Sequence, residues 1–190
     1  RSIHGFSHII ITQSAIAVSI NYSPDWQIDS TRRSSHLRET VSTLFRAVDV
    51  IDDPEVLFCG LMTLIDVEAK MPDPDLVRFV ESRYVSKRAA RNVFDAVVRL
   101  TDVDSEKYFV NITYENYRNW HSQVANNPTL YVPLPHRTAQ SRGIRLTADV
   151  NDRFSFNEVR GYRSNINSAM GIIALCEKRV TAAIVDMMES

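Results

Sequence analysis

The chain has 190 residues, 44% of them hydrophobic and 24% charged, and 22 Lys and Arg against 23 Asp and Glu leave a net charge of -1. That balance excludes wholesale disorder and a strongly basic surface, so any nucleic-acid binding would need a local patch. No apolar run reaches the ~18 residues of a membrane-spanning helix, and one domain of this size can bury a core without metal or disulfide staples.

Near the N-terminus, Ile16, Val18, Ile20 and Tyr22 alternate with small or polar residues, and Ile9-Ile10-Ile11 precedes them. This pattern predicts extended structure over 8–22, ended by Ser23-Pro24-Asp25. A helix follows, beginning between Ser30 and Ser35 and carrying Leu37, Val41, Leu44 and Val48 on one face. Asp53, Pro54 and Glu55 form a helix-start signal for a second, buried helix with Leu57, Phe58, Leu61, Met62, Leu64 and Ile65, running through Glu68 and Lys70. Asp73-Pro74-Asp75 starts a shorter helix. Ser86 caps another, with Ala90, Val93, Phe94, Val97 and Leu100 facing inward. Short links between these helices predict a bundle-like core over 32–101.

The segment 105–148 is mixed. Tyr108, Val110, Ile112 and Tyr114 alternate as a strand, 129–134 is extended, 136–143 is an exposed loop, and 144–147 is a short strand. From Ser155 the pattern changes to that of a long helix over 155–188. Ser155-Phe156-Asn157-Glu158 reads as a capping box and Phe154 with Val159 as a hydrophobic staple. Phe156, Val159, Arg163, Ile166, Met170, Ile173, Glu177, Val180, Ile184 and Met187 then recur at steps of three and four. A narrow seam of this kind predicts packing or self-association. Gly161 and Gly171 each cost a helix interior about 1 kcal/mol, so tertiary or quaternary contacts must hold it.

Catalytic signals are sparse. Asp53 with Glu68-Ala69-Lys70 is the best carboxylate set for a metal-dependent attack on phosphate esters, but a helix from Asp53 through Lys70 would hold the acids about 22 Å apart. Asp52-Asp53-Pro54-Glu55 and Asn151-Asp152-Arg153-Phe154-Ser155 superficially resemble the metal motifs of class I terpene synthases. Val159 stands where the second motif needs its acid, and no residue is carried over. His4, His8, His36, His121 and His136 show no metal-ligand spacing, and no cofactor is expected. Three basic groups could meet phosphates: Arg83, Lys87, Arg88 and Arg91; Arg137, Arg142 and Arg145; and Arg32, Arg33 and Arg38. Tyr108, Tyr114, Tyr117 and Trp120 could supply stacking faces. Cys59 and Cys176 in apolar patterns suggest a reducing, cytoplasmic compartment. The chain opens on Arg1-Ser2 with no initiator Met, so a processed form or a piece of a longer protein is expected.

These features predict a single α+β domain over 1–190, predominantly α, with a bundle-like helical core, a minor sheet and a long C-terminal helix. The expected function is non-enzymatic assembly: a homo-oligomer joined through the C-terminal helix, structural or nucleocapsid-like, contacting RNA. The alternative is a nuclease-like enzyme using Asp53, Glu68 and Lys70.

Overall fold

A computed structural model describes residues 3–12, 14–51, 55–84, 93–120 and 139–189. The chain divides into two compact units, Arg1–Glu55 with Asn165–Met170, and Val56–Ser164 with Gly171–Ser190.

In the first unit, β1 (Gly5–Ile11) and β2 (Ile16–Tyr22) form an antiparallel hairpin with an unbroken register from Gly5↔Tyr22 to Ile11↔Ile16. A short helix, α1 (Pro24–Gln27), leads into α2 (Ser30–Val48). Asp29 caps α2 by accepting a hydrogen bond from the Arg32 amide at 2.9 Å. The expected apolar face of this helix is present, yet none of its residues is buried.

The second unit is built on a four-stranded antiparallel sheet in the order β3-β6-β5-β4, from β3 (Gly60–Glu68), β4 (Val97–Asp104), β5 (Tyr108–Asn119) and β6 (Ser141–Asn151). One face carries Leu61, Thr63 and Ile65, then Ile144, Leu146, Ala148 and Val150, then Val110, Ile112 and Tyr114, which the register places side by side. Two helices cover it. Leu76 and Val80 of α3 (Asp73–Tyr84) pack with Tyr114, Ile144 and Leu146. Ile172 and Cys176 of α5 (Ile166–Met188) pack with Val110, Ala148 and Val150. The opposite face is mixed: the Asn111 amide donates to Asp149 at 3.1 Å and the Thr101 hydroxyl to Asn111 at 2.9 Å, while Met62, Leu64 and Val97 stand exposed on it. Gly143 is fixed by crowding, since a Cβ there would collide with the Val67 carbonyl and the Tyr117 ring.

The expectation of a predominantly α fold is therefore corrected: a four-stranded and a two-stranded sheet stand beside the helices. Two predicted core helices give way to strands. Residues 60–68 form β3, because an apolar run with both faces greasy satisfies helix and strand patterns equally. Residues 97–104 form β4. Val97 and Leu100, spaced as on one helix face, point to opposite sides of a strand. The start signal at Asp52–Pro54, the helix from Ser86 and the segment 129–134 lie outside the described residues.

The C-terminal helix is also corrected. It is divided into α4 (Arg153–Glu158) and α5, with Val159–Asn165 outside either helix and Gly161 at φ 77°. Val159, in an extended conformation, ends the first segment, and the positive φ two residues later suits glycine. Asp152, not Ser155, occupies the N-cap position of α4. The Ser155 hydroxyl instead donates to the Lys107 carbonyl at 3.1 Å.

Candidate interaction surfaces

The most unusual surface belongs to the N-terminal hairpin. Its strands, Gly-Phe-Ser-His-Ile-Ile-Ile and Ile-Ala-Val-Ser-Ile-Asn-Tyr, contain no Asp, Glu, Lys, Arg or Pro. Exposed edge strands are normally blunted by such residues or by bulges, and this regular register has neither. Phe6, Ile9, Ile10 and Ile11 are 65%, 62%, 49% and 74% exposed. Between Ile3 and Ile51 no described residue is buried at all. Ile9 and Val18 face Leu44 and Ala47 of α2 across a groove of about 430 Å³.

One end of the same unit holds a cluster of rings that sequence spacing did not reveal. The His4 and His36 rings lie 4.1 Å apart, Tyr22 stacks parallel to Trp26 at 6.1 Å, and the Tyr22 hydroxyl sits 3.3 Å from His36 Nδ1. Burial, and then the neighbouring His4, lower the His36 pKa from 6.5, against a smaller opposing pull from Glu39. Arg33, whose carbonyl accepts from the Tyr22 hydroxyl at 3.2 Å, faces the cluster from α2. A histidine depressed on folding contributes stability that is present above its unfolded pKa and lost as pH falls through the folded value. We therefore expect the hairpin to loosen from α2 as pH drops below about 6.5. Trp26 fluorescence in a Trp120→Phe background should report this, and His36→Phe should flatten the profile.

The seam predicted over 155–188 is not an open edge. Ile173 is 2% exposed, and Val180, Ile184 and Met187 pack onto the core beneath α3 and the sheet. The small residues Cys176 and Ala183 lie at the centre of this contact, not at its flank, because they let the helix approach closely. The Phe156 ring packs at 5.7 Å against Phe58, tilted by 51°, Val159 and Arg163 fall in the break between helices, and Glu177 is half-buried. In the first unit, Ile166 and Met170 are half-buried, with the Met170 sulfur 3.9 Å from Arg38.

Four of the described basic candidates meet carboxylates, while Arg38 donates to the Ser34 hydroxyl at 3.2 Å. Arg83 bridges to Asp186 at 2.6 Å, Arg142 reaches Asp73 at 3.5 Å, and Arg145 chelates Asp66 at 2.7 and 2.9 Å. Arg32 pairs with Asp29 at 3.4 Å. Lys87, Arg88, Arg91 and Arg137 lie outside the described residues, so those basic groups are seen only in part.

Of the carboxylate set, Glu68 ends β3 and Lys70 follows it, both exposed, where a helix was expected; Asp53 lies outside the described residues. Among the described residues no three metal-ligating side chains gather. Both cysteines are free thiols. Cys59 belongs to a buried polar knot centred on Asp152, which accepts from the Cys59 amide at 2.8 Å, the Tyr162 hydroxyl at 2.8 Å and the Ser164 hydroxyl at 2.5 Å. Burial, with Asp152 adding to it, pushes the Cys59 thiol up to about 12, which suits a structural thiol rather than a nucleophile.

No helix among the described residues is long and apolar enough to cross a membrane. No protein-family model matches the chain, and no curated protein or solved structure matches it either.

Proposed function

We propose that the chain is a non-enzymatic assembly component that associates with copies of itself. The observation that carries this is the N-terminal unit, whose strands are apolar, charge-free and exposed, in a stretch where no described residue is buried. A two-stranded hairpin is marginal in water unless further strands or a helix cover it, and α2 supplies only half-buried contacts. Association completes what this unit lacks. The surface concerned is the hairpin rather than the C-terminal helix, whose apolar stripe is spent on the sheet. Carboxylates of the chain already hold Arg83, Arg142 and Arg145, which counts against phosphate binding at those three side chains. Two unpaired thiols accord with a reducing, intracellular setting.

Light scattering over a concentration series tests this. The expected mass exceeds the 21.7 kDa of one chain and rises with concentration. A constant 21.7 kDa would refute self-association.

A further inference from the structure

Which backbone groups of the hairpin face outward follows from its register. The Thr12 amide donates to the Ala15 carbonyl at 2.9 Å, and the Ser23 amide to the His4 carbonyl at 3.0 Å. In an antiparallel pair, hydrogen-bonded and non-hydrogen-bonded positions alternate. Phe6, His8 and Ile10 therefore bond to β2, while the N–H and C=O groups of Ser7, Ile9 and Ile11 point away from it. The sheet order ends at β1, so these groups form an open edge among the described residues. The far edge of β2 is partly closed, because the Gln27 side-chain amide donates to the Tyr22 carbonyl at 2.8 Å.

We infer that the outer edge of β1 pairs antiparallel with β1 of a second copy, about a two-fold axis at Ile9. The inference rests on the self-association proposed above and names its surface. In this register Ile9 meets the partner's Ile9 and Ser7 meets the partner's Ile11, so the outward donors and acceptors on both copies are satisfied. An axis through a hydrogen-bonded pair stands perpendicular to the sheet and leaves both copies of α2 on one face. The product is a four-stranded antiparallel sheet with helices on one side, the same layering that the second unit achieves within one chain. Ile9 and Ile11 from both copies then form one continuous apolar stripe beneath the two helices. A copy of itself is the fitting occupant because neither strand carries a formal charge to clash with its own image, and opposed β-branched residues pair favourably.

The test uses the whole chain and two substitutions. Ser7→Pro removes an outward N–H without touching the β1–β2 ladder, as proline permits on an edge. Ile10→Lys leaves the backbone alone and sets like charges near each other across the axis. Sedimentation at a concentration where the unaltered chain is dimeric should show each variant falling from two chains to one, with the helical circular dichroism kept. If either variant stays dimeric with its fold intact, the edge pairing is overturned while self-association stands. If the unaltered chain is monomeric throughout, both fall.

Discussion

Asp152→Ala is expected to destabilise the sheet-containing unit by about 3 kcal/mol, because it strands several buried donors at once. Asp152 is fully buried. It joins the start of β3, through the Cys59 amide, to the segment between α4 and α5, through Tyr162 and Ser164. Losing it therefore unties the residues that end one helix and begin the next. Asp152→Asn keeps some of these bonds and should lose less. Urea denaturation followed by circular dichroism measures both. A second readout is chemical: without the Asp152 charge and hydrogen bond, which both raise the Cys59 pKa, the thiol should alkylate faster at mildly alkaline pH. An Asp152→Ala protein as stable as the parent would show that the knot contributes nothing to the fold.

The other large loss is expected at Arg118. This side chain, 7% exposed, lies between the buried Asp73 at 3.0 Å and Asp95 at 2.6 Å, donates to the Phe94 carbonyl at 2.9 Å, and stacks over the Phe94 ring at 4.3 Å. Asp73 opens α3, so the pair anchors the helix to the end of β5. Removing one member of a buried pair leaves an uncompensated charge, and Arg118→Ala should cost about 3 kcal/mol even with Arg142 nearby. Replacing both partners by apolar residues, Asp73→Leu with Arg118→Met, should cost less than Arg118→Ala alone. A double variant that loses more than the single one would contradict this account of the pair.

Much of the fold was legible where one physical signal acted alone. The alternation from Ile16 to Tyr22, the face of α2 and the Asp73-Pro74 start of α3 each gave the element that forms. The errors arose where two signals coincided. Leu61 to Ile65 is apolar on both sides of a strand, and period cannot separate that from a buried helix. The turn joining β4 to β5 has positive φ at Ser105 and Glu106, without the Gly or Asn that usually announces it, so β4 lost its hairpin partner in the sequence. The C-terminal repeat ran across Gly161, and nothing local showed that Tyr162 and Ser164 would turn inward to Asp152. The proposed interaction surface was half visible. The charge-free strands were plain in the sequence, but their exposure depends on how little α2 covers them. The meeting of His4 with His36 is tertiary and left no trace in spacing.

Amide hydrogen exchange at Ile9 and Ile11 tests self-association through the β1 edge most directly, because those N–H groups have no partner within the hairpin. Protection that appears and grows with protein concentration is the predicted result. Exchange at the free-chain rate in a solution where the mass is already that of a dimer would contradict it.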